Sequence, residues 1–344
     1  MSETPVRVAV VGVGDFGRNH ARVWRDTPGA KLAGVMDIAA DRAKAVAAEF
    51  QTEVFSDLGS LRGKVDAVSL AVPTLEHAPI ARQLFDLGLD VLVEKPIAAS
   101  VEEADSLIDT ARRNKRILQV GHLERFNPAV VAAQGILSRP LFFEVHRLGV
   151  FSPRSLDVDV VYDLMIHDLD ILLAFLDSEV TDLRAVGIPV ITDKVDIAHA
   201  RLEFGTGAVA NLTASRVSTE KVRKMRFFQE HEYVSLDFTR QDVLRVRVEA
   251  SEARAGFPEH AATASAGVGD ANPQVKFEKL ETQPEEPLRA ELRAFVEAVR
   301  TRKEPRTNGA AARRALALAD RVMAGISEHA RRVQVGAFAP QEIR

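Results

Sequence analysis

Short apolar runs alternate with amphipathic segments over the first third of the chain. The apolar runs lie at residues 6–11, 31–36, 65–72, 90–95 and 116–120, and helical patterns between them lie at 40–50, 77–88 and 100–115. Strands this apolar are typical of a parallel sheet that helices cover on both faces. The pattern therefore predicts a doubly wound nucleotide-binding domain of about six strands, a Rossmann domain, over residues 1–122.

The rhythm changes after residue 122. Asn127 and Pro128 mark the start of a helix, and a strand pattern at 141–148 precedes an apolar helical segment at 160–176. Six further strand patterns lie at residues 184–191, 196–204, 208–217, 224–229, 232–238 and 242–249. Their hairpin signals predict a largely antiparallel sheet. A surface loop is expected at 251–274, and two helices, near 287–302 and 309–331, complete an α/β domain over residues 123–344.

Composition is that of an ordinary globular protein. The chain has 344 residues, 46% hydrophobic and 27% charged, which suits two domains. Its net charge of −4 gives no global attraction to nucleic acid or to an anionic membrane. No apolar run approaches the ~20 residues that cross a bilayer, and the start lacks the features of a secretory signal. Because cysteine is absent, the chain has no disulfide or thiol chemistry. These features predict a cytoplasmic protein.

A glycine-rich turn follows the first strand pattern. Gly12, Gly14 and Gly17 have the G-x-G-x-x-G spacing between a strand and a helix, which suits a backbone that cradles a pyrophosphate. Asp37 ends the second strand pattern and is expected to accept hydrogen bonds from the adenosine ribose. Its charge would repel a 2′-phosphate, which favours NAD over NADP, although Arg42 is near enough in sequence to soften this repulsion.

Lys95 lies between Glu94 and Pro96 at the carboxyl end of the strand pattern at 90–95, the expected fifth strand of the sheet. Ligands of open parallel sheets bind at this edge, where a lysine can stabilise negative charge on a substrate oxygen. The alternative is a surface lysine that only extends its amine into solvent.

The apolar helical segment at 160–176 has polar residues along one side. Asp163, His167 and Asp170 recur at i, i+4 and i+7, and each would cost about 1–3 kcal/mol if buried without a partner. They fit either a structural His–Asp pair or a proton-transferring histidine, whose ionisation would be expected near neutrality. A metal site is disfavoured because the segment has no second histidine.

Five stretches in a fixed order together resemble the Gfo/Idh/MocA family of nicotinamide-dependent oxidoreductases. They are GVGDFGRNHA, AVPTLEHAPIA, VLVEKPIAAS, GHLERFNPA and DLMIHDLD, and LRAFVEAVRTRKEPRTNGAAARRALALADRVM extends the resemblance to nearly the whole chain. The resemblance implies a Rossmann domain followed by an α/β domain with an open, mostly antiparallel sheet. Met165 stands where the family motif usually has glycine, and Asp159-Val160 replaces a common Gly-Gly pair. The substrate pocket is therefore expected to differ from that of the sugar and inositol dehydrogenases.

The resemblance also implies roles for individual residues. The catalytic residues are predicted to be Lys95, Asp163 and His167, with Asp163 orienting the substrate and His167 transferring the proton. The predicted cofactor-binding residues are Gly12, Gly14, Asp15, Phe16, Gly17, Asp37, Pro73, Thr74, His77, Glu94 and Lys95, with NAD as the cofactor and NADP as the alternative. The predicted substrate-binding residues are Lys95, His122, Arg125, Tyr162, Asp163 and His167, with no metal.

A narrower resemblance links the chain to the subgroup that includes UDP-N-acetylglucosamine 3-dehydrogenases, which serve lipid A synthesis. It depends on VVYDLMIHDLDILL, GHLERFNP and ANLTASRVSTEKVRKMRFFQEHEYVSLDF. The last stretch contains cations suited to a diphosphate, namely Arg216, Lys221, Arg223, Lys224 and Arg226. The alternatives are a solvated basic face, a dehydrogenase of free monosaccharides or inositols, and a non-catalytic NAD-sensing protein.

Apolar alternation in the strands at 196–204 and 208–217 further predicts a homo-oligomer, a dimer or tetramer, that assembles through the second sheet.

Overall fold

The first part of the chain forms a six-stranded parallel sheet. The structure is a computed structural model that describes residues 4–152, 158–249 and 274–333. The strands are β1 (Val6–Val11), β2 (Ala30–Met36), β3 (Glu53–Val54), β4 (Ala67–Leu70), β5 (Asp90–Glu94) and β6 (Leu118–Gly121). The helices between them are α1 (Asp15–Arg25), α2 (Ala40–Phe50), α3 (His77–Asp86) and α4 (Val101–Arg113). The order β3-β2-β1-β4-β5-β6 reverses between β1 and β4, so the predicted doubly wound Rossmann sheet is confirmed.

The second part forms an eight-stranded sheet. Its strands are β7 (Pro140–Val150), β8 (Val180–Ile188), β9 (Ile197–Phe204), β10 (Val209–Ser218), β11 (Val222–Gln229), β12 (Glu232–Asp237), β13 (Asp242–Glu249) and β14 (Gln274–Leu280). The helices of this part are α5 (Pro128–Gln134), α6 (Ile166–Leu176), α7 (Pro287–Thr301) and α8 (Gly309–Val333). In the order β14-β13-β12-β11-β7-β10-β9-β8, only β7 and β10 pair in parallel. The predicted open, mostly antiparallel sheet is confirmed.

Capping side chains set the beginnings of two helices where the sequence indicated them. Ser100 Oγ accepts a hydrogen bond from the backbone amide of Glu103 at the start of α4, and the Asn127 side chain accepts one from Ala129 at the start of α5. Gly88 follows α3 with a φ of +81°, a conformation that residues with a side chain rarely adopt.

Two strand predictions need correction. The strand expected at 184–191 lies instead at Val180–Ile188, because the chain then turns around Asp196, whose Oδ2 accepts the amides of Val190, Ile191 and Thr192 at 2.7–2.8 Å. The sequence also gave no indication of β14. The loop expected at 251–274 lies outside the described residues, except for Gln274, where β14 begins.

The apolar alternation in β9 and β10 belongs to the buried face of the second sheet. Ala198, Ala200, Leu202 and Phe204 are buried in one core cluster with apolar residues of α6 and α8. The apolar residues of these two strands were expected to form an exposed surface for oligomer assembly, and this expectation is wrong. Apolar side chains on that face come instead from other strands, with Phe142, Phe228 and Tyr233 in ring contact at 5.6 and 5.1 Å. The homo-oligomer itself stays a prediction.

The C-terminal helices connect the two sheets. Leu292 and Phe295 of α7 share a core cluster with Val8 of β1. Leu316 of α8 packs in the core of the first sheet, whereas Val322 packs in that of the second. The domain boundary at residue 122 stays a prediction, since the chain returns to the first sheet after residue 287. No helix among the described residues is both long and apolar enough to cross a membrane.

Candidate active site

The glycine turn lies between β1 and α1, at the carboxyl edge of the first sheet. Gly12 has a φ of +82°, and a Cβ there would lie 2.7 Å from the Ala71 carbonyl oxygen. A Cβ on Gly17 would lie 1.8 Å from the Gly12 carbonyl oxygen, so this glycine permits close packing of helix and strand. A Cβ on Gly14 would meet nothing within 4 Å, and no described side chain caps α1. The turn therefore leaves open backbone at a helix N-terminus, where a pyrophosphate fits. Asp15 and Phe16 follow in the first turn of α1, and the Phe16 ring is half exposed.

Asp37 follows β2 and is hydrogen-bonded to the backbone of two segments. Its Oδ2 accepts the Val13 amide and its Oδ1 accepts the Ala39 amide, each at 2.8 Å. Arg42 Nη1 lies 3.4 Å from Oδ2, as the sequence spacing suggested. The carboxylate thus holds the glycine turn against the end of β2. The predicted contact with the ribose would use the remaining lone pairs of this carboxylate.

His77 fixes the loop that carries Pro73 and Thr74. Its Nδ1 lies 2.8 Å from the Pro96 carbonyl oxygen and its Nε2 lies 2.9 Å from the Val72 carbonyl oxygen. Burial lowers the pKa of His77, although these two carbonyl contacts oppose the shift. With both ring nitrogens beside backbone carbonyls, His77 ties the loop after β4 to the loop after β5. We therefore expect His77 to position the two loops beside the nicotinamide and not to contact the ring through a free nitrogen.

Glu94 belongs to a buried hydrogen-bond chain beneath Lys95. Its Oε1 lies 2.8 Å from His20 Nε2, and His20 Nδ1 lies 3.1 Å from Ser69 Oγ, which also accepts from Trp24 Nε1 at 2.8 Å. Burial alone would raise the pKa of Glu94, but the His20 hydrogen bond and the charges of His20 and Lys95 lower it overall. Glu94 thus anchors the end of β5, and the lysine that follows it, to α1.

Lys95 and Asp163, two of the predicted catalytic residues, are in contact although they are distant in sequence. Lys95 Nζ donates to the Asp163 backbone carbonyl at 2.6 Å and lies 3.2 Å from Asp163 Oδ1. The lysine side chain is 12% exposed and that of Asp163 is 28% exposed. The predicted uninterrupted α-helix needs correction here, because Val161–Met165 forms a π-helical turn before α6 begins. Such turns are frequent at functional sites, and this one presents both the carbonyl and the carboxylate of Asp163 to the lysine.

His167 lies in the first turn of α6 and is partly exposed. Its Nδ1 is buried and makes no hydrogen bond with any described residue. Burial lowers the pKa of His167 well below its ordinary value, and the positive charges of Lys95, Arg147 and Arg223 lower it further. The ring is therefore neutral near pH 7 and able to accept a proton. The expected ionisation near neutrality is corrected to one in the acid range.

Two other predicted substrate-binding residues, His122 and Arg125, are buried, and a third, Tyr162, is partly buried. The His122 ring is 1% exposed and lies 6.3 Å from the His167 ring, centroid to centroid. Arg125 is 8% exposed, and its Nη1 lies 3.4 Å from Asp170 Oδ1. The Tyr162 hydroxyl donates to Asp320 of α8 at 2.7 Å, and burial raises its pKa. In this arrangement the three residues support the walls of the site.

A buried charge network that was not predicted from the sequence lies beside His167. Arg147 of β7 donates to Asp168 at 2.7 and 2.8 Å and to Glu124 at 2.8 Å, and all three side chains are less than a tenth exposed. Its guanidinium also lies 5.0 Å from the centre of the Phe238 ring. The only sequence signal was the presence of charged residues inside apolar segments. Its effect is to fix α6 against β7 and to place a permanent cation near His167.

The cations of the basic strand have different environments. Arg216 is buried, donates to the Val158 carbonyl and lies 3.8 Å from Asp196. Arg226 pairs with Glu144 at 2.9 Å, and Lys224 lies 4.0 Å from Asp237. Lys221 is exposed. Arg223 is different, because it lies 3.8 Å from Glu124 and close enough to His167 and Asp163 for their charges to interact.

No group of three or more histidine, cysteine, aspartate or glutamate side chains within the described parts of the chain has a metal-binding arrangement. The expected absence of a metal stays a prediction.

Comparisons with known proteins agree with this geometry. The pattern of the family described as "Oxidoreductase family, NAD-binding Rossmann fold" (GFO_IDH_MocA) matches residues 6–122, and that of the GFO/IDH/MocA C-terminal domain matches residues 132–234. The UDP-N-acetylglucosamine 3-dehydrogenase of Acidithiobacillus ferrooxidans is 38% identical over 322 residues, which are 93% of this chain and 97% of that protein. The chain belongs to the Gfo/Idh/MocA family.

Two further comparisons extend the relationship. The solved structure of the Acidithiobacillus dehydrogenase, GnnA, superposes with a TM-score of 0.83 at 36% identity and covers 94% of this chain and 98% of that one. The scyllo-inositol 2-dehydrogenase (NAD(+)) of Bacillus subtilis is 31% identical over 63% of this chain and 69% of its own length. As a Gfo/Idh/MocA protein, the chain is an oxidoreductase with an NAD-binding domain, and both predictions are confirmed. This result disfavours the non-catalytic sensor.

Proposed function

We propose that this Gfo/Idh/MocA enzyme oxidises a secondary hydroxyl of a nucleotide sugar to a ketone, with UDP-N-acetylglucosamine oxidised at its 3-hydroxyl as the leading candidate. The observation on which the proposal depends is the pairing of Lys95 with Asp163 next to a neutral His167. A cation, an acceptor and a free base are thus grouped at the edge of the sheet that has the open glycine turn. The similarity to the Acidithiobacillus enzyme, over almost the full length of both chains, supports this substrate class.

In the proposed reaction, His167 takes the proton of the substrate hydroxyl. Lys95 then stabilises the negative charge that develops on the substrate oxygen, while Asp163 holds the lysine amine and accepts a hydrogen bond from the substrate. NAD, when bound, would supply the acceptor for the hydride of the carbinol carbon. The residues that would hold NAD are those of the glycine turn and the loop fixed by His77, with Asp37 at the adenosine end.

The positive charges of the site act on both groups in the proposed proton transfer, the substrate hydroxyl and His167. The charges of Lys95, Arg147 and Arg223 all disfavour a protonated His167. The same charges favour an alkoxide over an alcohol in the cleft, because they stabilise negative charge nearby. The site therefore lowers the cost of the hydroxyl proton leaving, although it makes His167 a weaker base than a free imidazole.

Arg223 supports a phosphorylated substrate. It is the cation of the basic strand whose charge interacts with both Asp163 and His167. Glu124, whose carboxylate lies 3.8 Å from Arg223, is already bonded to Arg147. A guanidinium in this position can bind a diphosphate oxygen. Lys224, on the same strand, alternates to the other face of the sheet and provides a matched comparison.

The experiment is isothermal titration at saturating NAD with UDP-N-acetylglucosamine, myo-inositol and glucose, followed by absorbance assays of nicotinamide reduction. We expect binding and turnover with the nucleotide sugar. Arg223→Gln should weaken its binding about tenfold, the scale of one charged hydrogen bond, whereas Lys224→Gln should leave it unchanged. Turnover of myo-inositol or glucose alone would instead support the alternative favoured by the similarity to the Bacillus inositol enzyme.

The location, the pathway and the oligomeric state of the enzyme follow from this proposed activity as further proposals. We place the enzyme in the cytoplasm, in a pathway of lipid A type, and as a homo-oligomer that assembles through the outer face of the second sheet. The ring cluster of Phe142, Phe228 and Tyr233 supports the last point, since apolar residues on an open face favour a partner. Light scattering that gave a monomer of 37.6 kDa at micromolar concentration would contradict it.

A further inference from the structure

Behind His167 lie two buried polar groups that the proposed mechanism does not use. His122 and Asp170 are 1% and 2% exposed, and His122 Nδ1 lies 3.9 Å from Asp170 Oδ2. Neither ring nitrogen of His122 nor Oδ2 of Asp170 makes a hydrogen bond with any described residue. Buried polar atoms without protein partners are the usual sites of ordered water.

Asp170 also borders a pocket that lies away from the predicted cofactor and catalytic residues. The pocket has a volume of about 180 Å³ and is lined by Arg125, Asp170, Leu173, Ala174, Asp177, Ala311 and Arg314. Lys95, Asp163 and His167 do not line it. At its rim, the Asp177 side chain is 91% exposed, so the pocket opens to solvent. Asp170 is thus reached from the active site on one side and from this pocket on the other.

We propose that His122 and Asp170 form a proton exit route from His167 to the pocket between α6 and α8. This inference rests on the proposed function, in which His167 accepts the hydroxyl proton. The route lets that proton leave while substrate and cofactor cover the cleft.

The transfers conserve protons and involve no redox step. The hydroxyl proton passes to His167, then to one nitrogen of His122, while the other nitrogen gives a proton to Asp170, which releases it to water in the pocket. The nitrogens of His122, Nδ1 of His167 and Oδ2 of Asp170 make no direct hydrogen bond with any described residue, so the route requires a bridging water at each step. The hydride leaves the carbinol carbon separately. Each turnover therefore releases one proton in addition to the ketone and the reduced cofactor.

The charges around the route suit transient rather than permanent protonation. Burial lowers the pKa of His122; Arg125 and Lys95 also lower it, whereas Asp170 and Glu94 raise it. Burial lowers the pKa of both His122 and His167 and so disfavours a resident proton on either ring.

Three further groups face the route from other elements. Glu291 of α7 is fully buried, and burial and the charges of Glu94 and Asp170 raise its pKa well above the ordinary value, so it is neutral. Arg306 interacts electrostatically with Asp170, and Arg314 lines the pocket. Arg125 lies 3.4 Å from the other oxygen of Asp170, so Oδ2 is the oxygen that faces His122.

The test uses the full-length enzyme with His122→Phe and Asp170→Asn, and Asp182→Asn as a matched control on the exposed surface of β8. The two route variants should bind NAD normally but lower kcat about tenfold or more. Added imidazole should restore kcat in proportion to its concentration, because a small buffer can carry the proton. The solvent deuterium isotope effect on kcat should rise in both variants and stay unchanged in Asp182→Asn.

A third variant guards against misfolding of Asp170→Asn, which removes the partner of Arg125. Ala174→Leu fills part of the pocket and leaves the Arg125–Asp170 pair in place, and it should also lower kcat in a buffer-dependent manner. Wild-type kcat and isotope effect in all three variants would overturn the route alone, as would losses that imidazole does not restore. Failure of the wild-type enzyme to oxidise any sugar would instead overturn the proposed function, and the route with it.

Discussion

Replacement of Arg147 by methionine should remove a large share of the stability of the second domain. Arg147 is 2% exposed and satisfies Asp168 with two bonds, at 2.7 and 2.8 Å, and Glu124 with one at 2.8 Å. Breaking a buried ion pair by removing one partner costs about 3–5 kcal/mol, because the remaining charge is left uncompensated. Two carboxylates share this arginine, so we expect the upper half of that range at neutral pH.

The loss should depend on pH in a defined direction. Burial already raises the pKa of Asp168 while Arg147 opposes the shift, so removing the arginine raises this pKa further. A carboxyl whose folded pKa lies above its unfolded pKa stabilises the fold at low pH, and this stabilisation is lost as pH rises through the folded value. The deficit of Arg147→Met should therefore shrink as the pH is lowered towards the range in which Asp168 takes a proton.

Urea unfolding followed by circular dichroism gives the change in free energy. Arg201→Met is the matched control, because Arg201 lies on β9 with 48% of its side chain exposed and with Glu203 at 3.9 Å. Exposed pairs contribute about 0–1 kcal/mol, so the control should unfold almost like the wild type. The double variant with Asp168→Leu should recover part of the loss. Similar losses in Arg147→Met and Arg201→Met would refute the reasoning.

Three further predictions concern the cofactor site and the base. Asp37→Ser should raise kcat/KM with NADP relative to NAD, because a carboxylate that repels the 2′-phosphate is removed; a wild-type enzyme that already prefers NADP would contradict this. Gly17→Ala should lower the melting temperature and abolish NAD binding, because its Cβ would lie 1.8 Å from the Gly12 carbonyl oxygen, whereas Gly14→Ala, with nothing within 4 Å, should weaken NAD binding alone; equal melting temperatures for the two variants would disprove this. His167→Ala should lower kcat about 10²–10⁴-fold with unchanged NAD affinity. Since the pKa of His167 lies well below its ordinary value, wild-type kcat should be flat through neutrality and fall only in acid, and a limb near neutrality would count against this assignment.

The parts of the fold that could be predicted depend on short-range signals. The glycine turn, the Ser100 cap and the position of Lys95 after β5 follow from patterns within a few residues. β14 could not be predicted, because it pairs with β13 across the intervening sequence between residues 249 and 274. That sequence is rich in small and polar residues and has no turn motif that would indicate the pairing. The end of β8 was predicted three residues too late. Asp196, eight residues beyond Ile188, accepts hydrogen bonds from three backbone amides and so turns the chain there.

In the candidate site too, the residues could be predicted from local motifs, but their long-range contacts could not. Residue types in motifs indicated Lys95, Asp163 and His167, and the structure brings Lys95 and Asp163 into contact across 68 positions of sequence. The sequence could not show that Tyr162 would bond to α8, since the partner depends on how the C-terminal helix packs. The same holds for Arg147, whose partners lie 21 and 23 positions away on other elements.

The π-helical turn and α6 together show why an apolar helical segment can tolerate this many ionisable groups. Asp163 contacts Lys95, Asp168 contacts Arg147, and Asp170 contacts Arg125, so each buried or half-buried carboxylate has its own cation from a different element. His167 alone has no such partner, and the three cations around it act in one direction, towards the neutral ring. A carboxylate beside His167 would have raised its pKa and kept the proton on the enzyme. Pairing every acid elsewhere therefore both stabilises the helix and leaves the one imidazole free to accept a proton and to pass it on.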